Sequence, residues 1–265
     1  MRIQPSPKWA IGIGVLYAPV FVGLVALSGI SYSDVASSTS NALRAIIIPL
    51  ALVAVLLAGL TSWLGWWRPT LSEKTTTPHW FMLAPILFVV VVLISTNYAR
   101  ILQTEVSFML VLAVASLLIG FCEELVYRGL VVVGLRARSS ELKVWFFSTL
   151  LFSLLHAWNI LLGQDLGDTV GQLVFTFVVG SGLYAARRCT GYLIVPILLH
   201  AAWDWTIFVG ASEVLADSSE TLSGDSTGAF KAIGLLILLI LSLWSILIAR
   251  KYPSQTKSAP PELIP

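Results

Sequence analysis

Six ionisable side chains lie inside apolar stretches of this 265-residue chain: Glu123, Glu124, Arg128, His156, His200 and Asp204. An ionisable group in a hydrocarbon layer is costly, so each calls for a partner or for chemistry. Carboxylates and imidazoles together can take a proton from water, return one to a leaving group and stabilise a developing oxyanion, which is what amide hydrolysis requires. The spacing groups these residues. Glu124 and Arg128 are four apart, as are Phe152 and His156, and His200 and Asp204, so each pair shares one helical face. Glu123, about 100° round the helix from Glu124, has no partner close in sequence. Neither cysteine competes as a nucleophile: Cys122 turns to a different face from Glu123, and Cys189 beside Arg187 and Arg188 has no CxxC spacing for a metal or a disulfide. No Ser shares a motif with a His, so attack by water is the simpler chemistry.

Composition says what must position these side chains. Hydrophobic residues make up 57% of the chain, charged residues 11%, and mean hydropathy is +0.88; soluble domains carry about 25% charged residues. A soluble globular enzyme and a disordered chain are both excluded. Net charge is only +2, which gives no reason to expect a nucleic-acid partner. Charged and turn residues divide the chain into eight apolar stretches, near 9–30, 43–67, 80–98, 108–135, 144–162, 170–186, 192–210 and 232–249, each near the ~20 residues of a spanning helix. The expected fold is all-α: a polytopic membrane protein of about eight transmembrane helices. The first stretch exceeds the roughly 7–15 residues of a signal-peptide core and reads as a retained helix. The fourth is longer than a span requires and should be tilted or broken. The sixth carries Gly171, Gln172, Thr176, Gly180, Ser181 and Gly182, which suit close packing against a neighbour. Residues 1–265 read as one integral membrane domain, with a Ser/Asp/Gly-rich solvated loop at 211–228 and a proline-rich tail at 252–265 expected to be disordered.

Charge orients the spans, because inside loops are rich in Lys and Arg. With the N-terminus inside, 12 basic and 3 acidic residues fall on the cytoplasmic face and 3 basic and 8 acidic residues outside. Both termini are then cytoplasmic, in a multi-pass protein of the cell membrane. The residues left within spans are Arg128, Glu123, Glu124 and Asp204, with His156 and His200. From their basic anchors, Glu123 is 15 residues from Arg138, His156 is 13 from Lys143 and His200 is 12 from Arg188. These separations correspond to roughly 18 to 23 Å of helix, so three helices bring polar residues to one level.

The three pairs, read as Glu123-Glu124-Leu-Val-Tyr-Arg128, Phe152-Ser-Leu-Leu-His156 and His200-Ala-Ala-Trp-Asp204, resemble the EExxxR, FxxxH and HxxxN signature of the CPBP (CAAX protease and bacteriocin-processing, or Abi) family. That family includes the type II CAAX prenyl endopeptidases. The resemblance covers a core of about 105–210 and implies a CAAX-protease-like helical bundle with an intramembrane endopeptidase activity. It also implies that Glu123 and His156 form the catalytic pair. Asp204 departs from the signature, since Asn is more usual there. An Asn amide can donate to an oxyanion, whereas an ionised carboxylate only accepts, so Asp204 must be protonated in such a role or must orient His200 instead.

The side chains support one division of labour. Glu123, assisted by His156, deprotonates a water, while His200 with Asp204 stabilises the oxyanion. Glu124, Arg128 and Phe152 are expected to support the site, with Glu124 and Arg128 holding the glutamate helix, and Phe152, Trp158, Trp203 and Trp205 also read as packing or interface aromatics. The expected substrate is a membrane-embedded or lipid-anchored peptide or protein. No cofactor is favoured; two His and a carboxylate also form a credible zinc set, so a metallo-type site is the alternative. Two other functions fit a polytopic chain: a scaffold or bacteriocin-immunity protein acting through a membrane partner, and a proton-coupled transporter using Glu123, His156 and His200 as a relay. No inverted repeat supports the transporter.

Overall fold

A computed structural model describes residues 2–211 and 226–254. The described secondary structure is helical apart from an isolated bridge between Ser72 and Tyr192. Eight principal helices follow the eight apolar stretches: α1 (Pro7–Ala26), α2 (Thr39–Leu64), α3 (His79–Ser95), α4 (Val106–Arg136), α5 (Glu141–Leu162), α6 (Leu166–Thr190), α7 (Ile194–Ala211) and α8 (Ser226–Lys251). By length and hydropathy, six among the described residues can cross a bilayer, and α3 and α7 are the shorter ones. The expected count of eight full spans is therefore six by this measure. Local punctuation explains where α3 ends and where α7 begins. Asn97, whose side chain accepts from the Arg100 amide, starts a separate helix at Tyr98–Gln103 and so ends α3. Gly191, in the left-handed region at φ 77°, separates α6 from α7. Most of the loop expected at 211–228, and the tail from 255 onward, lie outside the described residues.

The α4 helix, expected to be tilted or broken, is continuous over its 31 residues but changes its winding. It is α-helical to Glu124, π-helical over Leu125–Leu130 and α-helical again over Val131–Arg136. Such a widened turn is a local defect in the i→i−4 ladder and often coincides with a functional site. All six residues of the π segment are buried. The α5 helix changes too: regular α structure stops at Leu155, and His156–Leu162 is a 3₁₀ segment closed by Gly163 at φ 92°. His156 therefore sits at a junction, whereas the sequence predicts a single helix over 144–162.

Packing centres on α4, α6 and α7. α4 packs along α7, α6 lies between α5 and α8, and α1 covers the last turns of α4. Small residues permit the closest approaches. A Cβ on Gly120 of α4 would lie 2.7 Å from the Ile197 carbonyl oxygen and 3.1 Å from the Ala201 amide nitrogen of α7. That contact lies one turn from Glu123 and Glu124 on one helix and next to His200 on the other. On the outside, large apolar residues such as Leu16, Leu56, Leu102 and Val174 are exposed, as expected where hydrocarbon is the solvent.

Candidate active site

Four helices deliver the candidate residues. Glu123, Glu124 and Arg128 come from α4, Phe152 and His156 from the end of α5, and His200 and Asp204 from α7. The α6 helix contributes Gly180, whose carbonyl accepts from Arg128 Nη2 at 2.9 Å. A Cβ at Gly180 would lie 2.7 Å from that guanidinium and 2.8 Å from the Phe152 ring. The glycine is thus needed for close approach, the packing role expected of the small residues of the sixth stretch; Gly171, with nothing within 4 Å of an added Cβ, does not share it.

Arg128 Nη1 donates to Glu124 Oε1 at 2.9 Å, and both side chains are fully buried. The same oxygen lies 2.9 Å from His200 Nδ1. Because Glu124 Oε1 also accepts from a guanidinium, the bond is read with Nδ1–H donating. His200 Nε2 then faces the other carboxylates, 3.9 Å from Glu123 Oε2 and 3.5 Å from Asp204 Oδ2. Both His200 and Glu123 are buried, and the Asp204 side chain is more open at 17%. Glu123 Oε2 is buried and has no hydrogen-bond partner, a condition that a native site seldom tolerates without a water, an ion or a catalytic use.

Phe152 stands between the charged and imidazole groups. The Arg128 guanidinium carbon lies 3.9 Å from its ring centroid, a cation–π contact in a desolvated setting. The His156 and His200 rings meet Phe152 edge-on at 5.5 and 5.6 Å. His156 Nδ1 is 3.2 Å from the Phe152 carbonyl oxygen, which fixes the ring's orientation. No hydrogen bond or ion pair joins His156 to Glu123 among the described residues; the two are linked through the rings of Phe152 and His200. Of the expected packing aromatics, Trp158 is part-exposed and Trp203 packs on Phe175 at 5.6 Å, but Phe152 belongs to the site itself. Cys122 turns away from Glu123, toward the Leu50 carbonyl at 3.6 Å.

The two glutamates therefore differ from the sequence expectation in one respect. Glu124, read there as the partner of Arg128, also bonds His200 across the α4–α7 interface. Spacing along one helix gives no sign of a contact between helices, and the Gly120–Ala201 approach is its local cause.

Among the described residues, no group of three or more His, Cys, Asp or Glu side chains is arranged to hold a metal ion, and Glu124 Oε1 is already shared by Arg128 and His200.

A second polar cluster lies at one end of the bundle, among residues the sequence assigns to loops. Glu73, between α2 and α3, is bonded by Arg136 and by Arg188 Nη1, the latter at 2.6 Å. Glu141 accepts from Arg136 Nη2 at 2.6 Å and from the Tyr184 hydroxyl at 2.6 Å. Arg188 Nη2 donates to the Tyr252 carbonyl at 2.8 Å and Arg187 Nη2 to that of Thr70 at 3.1 Å. These bonds tie together the ends of α4, α6 and α8 and the start of α5. Burial opposes ionisation of Glu73, but the guanidiniums of Arg136, Arg188 and Arg187 outweigh it and hold its carboxyl down to about 2.

Residues 105–206 match the family model described as Rce1-like, type II CAAX prenyl endopeptidase Rce1-like. The matched segment holds all three motifs and the α4, α5 and α7 positions just described, and it supports assignment of the chain to the CPBP/CAAX protease family, a family of CAAX-type intramembrane proteases. No curated protein and no solved structure matches the chain.

Proposed function

We propose that this protein is an intramembrane endopeptidase that hydrolyses peptide bonds of membrane-embedded or lipid-anchored substrates with a water activated by Glu123 and His156. The observation that carries this reading is the convergence of Glu123, Glu124, His200 and Asp204 from two helices around one imidazole, with Glu123 Oε2 buried and unpartnered. Glu123 takes the proton of a water held beside His200 Nε2. His156, held by the Phe152 carbonyl, assists that step, and the proton taken up by Glu123 passes to the leaving amine. The tetrahedral oxyanion forms near His200 Nε2, which in the doubly protonated imidazolium donates to it while Nδ1–H donates to Glu124 on the far side of the ring and Asp204 flanks it. Arg128 balances Glu124 and anchors α4 to α6. No step in this scheme uses a metal, and full activity after chelator treatment and metal analysis is the expected result.

The same reading places eight helices in the cell membrane with both termini cytoplasmic, supported by the charge sorting and by the clustering of Arg136, Arg187, Arg188 and the end of α8 at one end of the bundle. Quantitative membrane proteomics tests the function: cells with the wild-type chain should yield cleaved peptides that are missing when Glu123→Gln replaces it. Identical peptide sets would favour a scaffold or immunity role.

A further inference from the structure

A different constellation lies away from the acidic site, on the outer side of α5 and α8. Leu142, Trp145, Phe146 and Ile246 line an apolar groove of about 390 Å³, and Lys143 and Arg250 complete its lining. Lys143 is two residues from Glu141, and Arg250 is two residues from Tyr252, so the groove opens at the end of the bundle held by the Glu73–Arg136–Glu141–Arg188 network. The two cations come from different helices and are exposed. Carboxylates near them in the fold are already committed: Glu141 to Arg136 and Tyr184, and Glu73 to Arg136 and Arg188. Among the described residues neither Lys143 nor Arg250 has an ion pair, and no acidic residue lines the groove. Its floor is firm, because the Trp145 indole N–H donates to Ser181 at 3.2 Å and only 8% of that residue is exposed.

Two unneutralised cations beside an apolar floor, at the start of α5 and the end of α8, match the chemistry of an anionic glycerophospholipid. We propose that this groove binds one such lipid, with its phosphate between Lys143 and Arg250 and an acyl chain along Trp145, Phe146 and Ile246. A zwitterionic lipid fits less well, since its headgroup would bring a third cation toward the two already there. The bound lipid would brace α8 against α5, the helix that ends at His156. This site stands independently of the proposed peptidase activity.

Native mass spectrometry of the delipidated full chain, titrated separately with dioleoyl phosphatidylglycerol and dioleoyl phosphatidylcholine, tests it. Phosphatidylglycerol should bind saturably at one per chain, about tenfold or more tighter than phosphatidylcholine, and K143A/R250A should lose about thirtyfold of that affinity while leaving phosphatidylcholine unchanged. Both substituted side chains are exposed and unpaired, so the double variant should fold. Ile246→Trp fills the groove while keeping both cations, and it should also weaken phosphatidylglycerol binding. Equal binding of the two lipids, an unchanged preference in K143A/R250A, or full binding to Ile246→Trp would each overturn the proposal.

Discussion

His200 Nδ1 lies 2.9 Å from Glu124 Oε1, the oxygen that also accepts from Arg128 at 2.9 Å. The second glutamate of the EExxxR motif thereby ties the α4 motif to the α7 motif. It presents Nε2 of the imidazole toward Glu123 and Asp204, while Oε2 of Glu123 and Oε2 of Glu124 are both buried without a hydrogen bond.

Glu124→Gln should lower kcat by roughly 10- to 100-fold with little change in KM, because a charge-assisted hydrogen bond of about 1.5–3 kcal/mol is lost from an orienting contact rather than a substrate contact. Nitrogen shifts of labelled histidine distinguish this from a packing defect: Nδ1 of His200 should carry the proton in the wild type and lose that fixed assignment in the variant. Glu124→Ala should destabilise by about 3–5 kcal/mol, since it leaves Arg128 buried without its carboxylate.

Asp204→Asn should keep activity within a few-fold of wild type or raise it, because the amide supplies a donor beside His200 Nε2. Asp204→Leu should reduce the cleavage rate by about 10²–10³ if a donor at this position serves the oxyanion. A dead Asp204→Asn enzyme beside an active Asp204→Glu enzyme would instead assign the carboxylate to orienting His200.

Gly180→Ala should cost about 1–3 kcal/mol and reduce activity, because the new methyl would meet the Arg128 guanidinium at 2.7 Å and the Phe152 ring at 2.8 Å. Gly171→Ala, on the same helix with nothing within 4 Å of the added Cβ, should be neutral or stabilising by up to about 1 kcal/mol. Thermal unfolding of the detergent-solubilised protein compares the two directly.

Acid should weaken the bundle end that Glu73 organises. Its folded-state carboxyl is held at about 2, below the ordinary value of 4.5. Stabilisation from this group is complete above the ordinary value and is lost as pH falls from 4.5 toward 2. Glu73→Gln should lower the unfolding midpoint at neutral pH and flatten its dependence on pH in that window. An unchanged profile would mean that Glu73 is not ionised within the network.

Much of the site was legible because the membrane makes charge informative. Glu123, Glu124, Arg128, His156, His200 and Asp204 stand out against apolar runs, and their distances from basic anchors place them at one depth. The extra length of α4 was legible, though not the π segment within it, and the tight packing of α6 was foreshadowed by Gly180 and its small neighbours. What escaped has a common cause: contacts between helices leave no period in one sequence. The Glu124–His200 bond depends on how closely Gly120 lets α7 approach, and the ring contacts of Phe152 with Arg128 and both histidines join three helices. The Glu73–Arg188 pair joins residues 115 apart, in segments whose charges read most simply as solvated loops. The 3₁₀ turn at His156 was hidden for another reason, since hydropathy continues unbroken through residue 162.

The most direct measurement compares wild type and Glu123→Gln at equal folded concentration in reconstituted vesicles, using a substrate identified from the membrane proteome. The proposed chemistry predicts that Glu123→Gln binds this substrate with near-normal affinity and cleaves it at least about 10³-fold more slowly, the proton acceptor for water having been removed. Cleavage by Glu123→Gln at the wild-type rate would contradict a glutamate-activated water in this site.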